Sequence, residues 1–146
     1  MAISHRGDAV LIERRPVERA AGDVAYQAFQ ILRWTFVALP LIAGLDKFFG
    51  LLVNWDQYLA PVIANMVPVA PAVLMKVIGG IEIAAGIVVA GNAYIGGYLV
   101  AVWLWGIIAN LLLLSGYYDI AARDAALSLA AVALARLARD FRSGAY

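Results

Sequence analysis

The sequence predicts an all-α integral membrane protein, in which four transmembrane helices form a bundle with an interfacial segment between the first and second. Two observations lead to this fold class. Of the 146 residues, 64% are hydrophobic and only 14% are charged, and the mean hydropathy is +0.84, whereas soluble domains are about half apolar and a quarter charged. In addition, four windows supply the roughly 20 mostly apolar residues that a helix needs to cross the hydrocarbon core.

The four expected spans lie at about 27–47, 71–90, 94–114 and 120–138, within a membrane domain of residues 25–140. Two short polar turns separate the last three spans, Gly91-Asn92-Ala93 and Ser115-Gly116-Tyr117-Tyr118. Consecutive spans joined by turns this short form antiparallel helical hairpins. Pro40 in the first span is expected to kink the helix, which neighbouring helices in a membrane tolerate.

Both ends of the chain are predicted to be polar cytoplasmic tails, residues 1–24 and 141–146. The first tail carries charges of both signs and lacks the basic region followed at once by an apolar core that marks a secretory signal. It is either an interaction arm for a cytoplasmic partner or a solvated tail. The basic residues that flank the spans favour this orientation by the positive-inside rule: Arg6, Arg14, Arg15, Arg19, Arg33, Arg136, Arg139 and Arg142.

Residues 51–70, between the first two spans, contain no Lys or Arg and differ in kind from the spans. Apolar side chains recur there at helical spacing against polar ones, and Trp55 and Tyr58 suit the headgroup layer. We interpret the stretch as an interfacial or re-entrant segment broken at Pro61. An ordinary ordered loop is the alternative.

The composition also bears on cofactors and partners. The chain has no cysteine, and its single histidine, His5, lies in the polar tail. Haem, iron–sulfur, zinc and copper sites depend on such side chains, so we expect no metal site and no cofactor belonging to this chain alone. A net charge of +1 without a basic stripe gives no indication of nucleic-acid binding.

Polar side chains lie inside or at the edge of all four expected spans. Charged groups in lipid cost several kcal/mol unless they are paired or hydrated, so mutual pairing in one layer near the outer face is the arrangement we expect for most of them. This cluster is either a ligand site or a structural ion-pair network. Its candidate residues, with Arg33 at the opposite end of the first span, are Arg33, Asp46, Lys47, Lys76, Glu82, Asn110, Arg123 and Asp124.

Glu82 stands apart because it lies about a dozen residues into the second span, near the middle of the bilayer. We expect it to be protonated or paired with Lys76 or another base. It shares a helical face with small residues, as Asp124 does in the fourth span, and small residues mark the faces at which membrane helices approach closely. Both acids should therefore face protein. Glu82 is either a functional group, for protons, a quinone or a lipid headgroup, or a hydrogen-bonding link between helices.

Three stretches resemble the DoxX-like family of small bacterial membrane proteins. "ILRWTFVALPLIAGLDKFFG" (31–50) is similar to the first helix of that family, "GGIEIAAGIVVAG" (79–91) to its second, and "YDIAARDAALSLAAVALA" (118–135) to its last. The resemblance covers about residues 27–138. Its polar positions in this chain are Arg33, Lys47, Glu82 and Asp124.

The resemblance implies a four-helix protein of the bacterial inner membrane that works as a subunit beside redox enzymes. We therefore expect a non-catalytic or accessory subunit of a respiratory or photosynthetic membrane complex, in contact with other subunits, with lipid and, on one reading, with a quinone. The resemblance also allows a quinone-binding partner of a soluble oxidoreductase. The alternative is a small proton-coupled exporter that works as a homo-oligomer, with Glu82 as its proton-linked site.

Overall fold

The computed structural model describes the backbone of residues 16–142 and the side chains of residues 21–142. Regular structure in this part of the chain is entirely helical. In chain order the elements are α1 (Pro16–Phe49), a 3-10 helix (Trp55–Tyr58), α2 (Pro61–Met66), α3 (Pro71–Gly91), α4 (Ala93–Leu114) and α5 (Tyr118–Arg142).

Three of these helices are long and apolar enough to cross a membrane: Ala21–Phe49 within α1, α3 and α4, with 29, 21 and 22 residues. The predicted all-helical membrane class is confirmed to this extent. Helix α5 has 25 residues but does not join them. Arg123, Asp124 and Arg136 confine its uncharged run to residues 125–135, about 16 Å of helix against a hydrocarbon core of roughly 30 Å. The fourth span therefore stays a prediction.

Helix α1 extends further toward the N-terminus than the predicted first span. Its described part extends back to Pro16, so the last nine residues of the expected polar tail, 16–24, are helical. The other residues of that tail, and the C-terminal 143–146, lie outside the described part of the chain.

Consecutive long helices run antiparallel and approach through glycines. Gly96 of α4 lies against Val89 of α3, and a Cβ built on Gly96 would fall 2.5 Å from the Val89 Cα. A Cβ built on Gly97 would likewise lie 2.7 Å from the Ala131 carbonyl oxygen of α5. Helix α1 packs on α3 and α5. These close backbone approaches are the expected packing mode of membrane helices, which gain little from apolar burial alone.

The segment between α1 and α3 folds back onto the helices. Its 3-10 helix and α2 meet at Leu59 and Ala60, which are buried, and Pro61 begins α2. The predicted break at Pro61 is thus a junction between two short helices. Whether the segment lies at a membrane interface stays a prediction.

The packing defines two ends of the helical assembly. The loop end contains the 51–70 segment, the beginning of α3 and the turn before α5. The arginine end contains the turn between α3 and α4 at Asn92, the last turns of α5, and Arg33 of α1.

Candidate functional site

Helices α1 and α3 cross closest at a pair of glycines near the loop end. A Cβ built on Gly44 would lie 2.6 Å from the Gly79 carbonyl oxygen, and one built on Gly79 would lie 2.6 Å from the Gly44 carbonyl oxygen. No side chain fits between the two backbones. Lys47 and Glu82 each follow one of these glycines by three residues, so the crossing fixes both of their positions on facing helices.

Lys47 and Glu82 form a buried ion pair across this crossing. The Lys47 Nζ donates to Glu82 Oε2 at 2.6 Å, and the two side chains are only 4% and 8% exposed. Because α1 and α3 are antiparallel, the Lys47 stem runs across α3 at Gly79, whose added Cβ would be 3.0 Å from the Lys47 Cβ. Lys47 therefore points inward along α3 instead of reaching out to the membrane surface.

Two tryptophans complete the surroundings of the pair. The ring centroid of Trp55, in the 3-10 helix, lies 3.6 Å from the Lys47 Nζ, a cation–π contact that stabilises the ammonium group. The Trp103 indole N–H is buried and interacts with the Glu82 carboxylate, although its geometry falls short of a full hydrogen bond. A weakly bonded donor thus lies beside the ion pair. Trp105, two residues on, is 58% exposed.

A second acid approaches the pair from α5. Asp124 is buried, and its carboxylate lies near enough to Glu82 for the two to repel each other. Its ion partner is Arg123, at 3.9 Å from Nε to Oδ1, whose side chain is 68% exposed. One turn along α5, the buried Ser128 hydroxyl donates to the Ala101 carbonyl at 3.3 Å. Among the described residues, the site thus contains two buried acids, Glu82 and Asp124, and the largely buried base Lys47.

Asp46, the neighbour of Lys47, binds backbone and indole N–H groups and takes no part in the ion pair. Its Oδ1 accepts the backbone N–H groups of Leu51 and Leu52, at 2.8 and 3.0 Å, and its Oδ2 accepts the Trp55 indole N–H at 2.7 Å. These bonds end α1 and fold the following chain back over it. Asp46 thereby holds Trp55 against Lys47.

Asn110 of α4 fixes the other side of the same segment. Its Oδ1 accepts the Ala60 backbone N–H at 2.9 Å, and its Nδ2 donates to the Tyr58 carbonyl. A primary amide can satisfy a backbone donor and a backbone acceptor at once. The 51–70 segment is thus fastened at Asp46 and at Asn110.

The eight predicted polar residues therefore do not form one mutually paired layer. Lys47, Glu82 and Asp124 come together, while Asp46 and Asn110 bind the backbone of the connecting segment. Lys76 is exposed and is not the partner of Glu82. Arg33 lies at the arginine end, where it donates to the Ala90 carbonyl. The difference from the expectation arises because unpaired backbone groups after α1 compete successfully for the polar side chains.

Two members of the site, Trp55 and Trp103, are not among the residues that the sequence predicts for the polar cluster. Trp103 and Trp105 lie on different faces of α4, and helical spacing alone does not tell which one faces inward. The sequence predicts Trp55 to lie in the headgroup layer, and nothing in its aromatic character indicates that the chain folds back onto Lys47. The signal for the crossing was present in Gly44 and Gly79, which lie on the small-residue faces of their helices.

Comparisons with protein-family models, with curated proteins and with solved structures find no match to this chain. The resemblance to the DoxX-like family stays a prediction.

Proposed function

We propose that this chain is a non-catalytic or accessory subunit of a membrane redox or energy-conversion complex. The observation that supports the proposal is that the polar side chains bind other parts of the same chain. Lys47 pairs with Glu82, Asp46 binds two backbone amides and an indole, and Asn110 binds two backbone groups. Each holds one element of the chain to another, which is the work of a rigid, membrane-embedded scaffold.

In this proposal the protein is a four-span bundle of the bacterial cytoplasmic membrane, with both termini in the cytoplasm. Helix α5 packs antiparallel to α4 and turns Asp124 inward, which removes one charge from contact with lipid. Long arginine side chains at both ends can extend toward the headgroups. The arginine end carries Arg33, Arg136, Arg139 and Arg142, and the 51–70 segment at the loop end has no basic residue, a distribution that favours a cytoplasmic arginine end.

Contact with a quinone belongs to the same proposal and involves Trp103. Its indole N–H is buried and interacts with the Glu82 carboxylate without completing a hydrogen bond of good geometry, and a poorly satisfied buried donor is costly. A quinone carbonyl would offer this donor a second acceptor. Lys47 and Glu82 would then supply charge and a proton-accepting group next to the bound ring. The electrons would come from and go to partner subunits.

Purification from native membranes in a mild detergent tests the subunit proposal. Mass spectrometry identifies every co-migrating chain, and organic extraction measures the bound quinone. A stoichiometric assembly with redox-active partners supports the proposal, whereas a homo-oligomer with nothing attached contradicts it. Trp103→Phe should lower the quinone content of the purified assembly, and Trp105→Phe, at an exposed position, should leave it unchanged.

A small proton-coupled exporter is the second candidate, with Glu82 as the proton-linked group. The proximity of two buried acids favours it, because Glu82, paired with Lys47, and Asp124, paired with the exposed Arg123, repel each other. Glu82→Gln should then abolish transport in proteoliposomes while the protein still inserts and folds. Asp119→Asn, at an exposed acid, is the matched control. Unchanged transport in Glu82→Gln would rule this function out.

A further inference from the structure

A cavity of about 370 Å³ opens at the arginine end, away from the Lys47–Glu82 site. It lies between α1, the turn from α3 to α4, and the end of α5, and its volume falls within the range of pockets that hold small ligands. A smaller cavity of about 120 Å³ shares Tyr94 and Arg142 with it and adds Arg139. Two neighbouring cavities therefore share one wall.

The charged side chains that line the two cavities are all basic among the described residues. Arg33 and Arg142 line the larger cavity and Arg139 the smaller one, and no described carboxylate lines either. The first turn of α4, at Ala93 and Tyr94, adds the partial positive charge of a helix N-terminus. An anion is the ligand class that such a lining attracts.

The two arginines that line the larger cavity favour an anionic ligand independently of the N-terminus of α4. One nitrogen of the Arg33 guanidinium group donates to the Ala90 carbonyl, and Arg33 also lines the cavity. With other described residues, Arg142 makes one long bond, 3.4 Å from its Nη1 to Asn92 Oδ1. Both side chains thus retain donors for a ligand with several acceptor oxygens. Phosphate oxygens match the fork of an arginine.

The position of the cavity along the membrane normal indicates which molecule would supply that phosphate. Helix α3 has 21 residues, about 31 Å of helix, which is close to the thickness of the hydrocarbon core. Its end at Gly91 therefore reaches the headgroup layer, where the phosphates of the lipids lie. Phe29 and Phe141 provide apolar walls of the cavity.

We propose that this cavity binds the phosphate group of an anionic phospholipid. Arg33 holds it from α1, Arg142 holds it from α5, and the bound lipid joins these two helices to the turn between α3 and α4. The inference does not depend on the proposed function, since a lipid-bound scaffold and a transporter could both use it.

The test measures the thermal unfolding midpoint of the full chain in a neutral detergent as a probe is titrated. The probes are a short-chain phosphatidylglycerol, the matching phosphatidylcholine, and inorganic phosphate. Phosphatidylglycerol should raise the midpoint at the lowest concentration, because it alone combines a net negative phosphate with an apolar chain. Arg142→Gln should weaken this binding roughly tenfold, the usual effect of one lost charge-assisted bond. Arg136→Gln, an exposed arginine on the same helix that lines neither cavity, should leave it unchanged.

Arg33→Lys serves as the second variant, since it keeps the charge but loses the fork and tests the geometry of the site without removing the cation. It should also weaken phosphatidylglycerol binding. Equal binding of phosphatidylcholine, or equal binding in all variants, would overturn the proposal. Inorganic phosphate that binds as tightly as the lipid, with the same dependence on Arg142, would overturn the lipid source and establish a site for free phosphate.

Discussion

The Nζ of Lys47 lies 2.6 Å from the Oε2 of Glu82, although the two residues are 35 positions apart and enter the crossing of α1 and α3 from opposite directions. Each follows by three residues a glycine at which the two backbones touch. The pair and the crossing therefore depend on each other. The glycines allow the approach, and the ion pair compensates the charge of the two buried side chains.

Gly79→Ala should destabilise the protein, because the added methyl group would lie 2.6 Å from the Gly44 carbonyl oxygen and 3.0 Å from the Lys47 Cβ. Overpacking of this kind costs about 1–3 kcal/mol. Gly80→Ala is the matched control, since its methyl group meets nothing within 4 Å, and it should be neutral or up to about 1 kcal/mol more stable. Reversible unfolding in mixed micelles measures both. Equal effects of the two variants would contradict the close crossing.

Lys47→Met should destabilise strongly, by about 3–5 kcal/mol, because it leaves the Glu82 carboxylate buried without its base. The double variant Lys47→Met, Glu82→Leu should recover most of this loss, since an apolar pair of similar volume replaces a desolvated ion pair. Lys76→Met, at an exposed lysine, should change the unfolding free energy by less than about 0.5 kcal/mol. A double variant as unstable as the single one would contradict the pairing.

Asp46→Ala should release the chain that follows α1. The variant removes the acceptor for the Leu51 and Leu52 amides and for the Trp55 indole, so hydrogen exchange at Leu51 and Leu52 should speed up by roughly tenfold or more. Trp55 fluorescence should shift as its ring leaves the Lys47 ammonium group. Asp56→Ala, at an exposed acid in the same segment, should leave both signals as they are. Unchanged exchange in Asp46→Ala would show that other contacts hold this stretch.

Asn110→Ala should loosen the junction of the two short helices, because the Ala60 N–H and the Tyr58 carbonyl both lose their partner. Two unsatisfied, partly buried backbone groups cost about 1–3 kcal/mol. Limited proteolysis should cut the 51–70 segment faster than in the wild type. Asn65→Ala, at an exposed amide in α2, is the control and should keep the wild-type cleavage rate. The same rate in both variants would be inconsistent with a fastening role for Asn110.

The helical faces were accessible from the sequence, because the period of an α-helix decides which residues lie together. The faces containing Glu82 with Gly79, and Asp124 with Ser128, were predicted to face protein, and all four residues are buried. The short polar stretches between the apolar windows located the turns at Asn92 and Ser115. Helical periodicity did not decide which base pairs with Glu82, since Lys76 lies on the same helix and Lys47 lies at the adjoining end of α1.

The sequence by itself determined the helical membrane class, the positions of three apolar helices that could span the bilayer, and the inward direction of the buried acids. These features follow from local composition and from the helical period. Only the tertiary structure decided that Glu82 binds Lys47, that Asp46 binds the chain after α1, and that Arg33 lies by a cavity at the opposite end. Helical periodicity specifies a face but neither the rotation nor the crossing point of its neighbour. The backbone contact between Gly44 and Gly79 sets both.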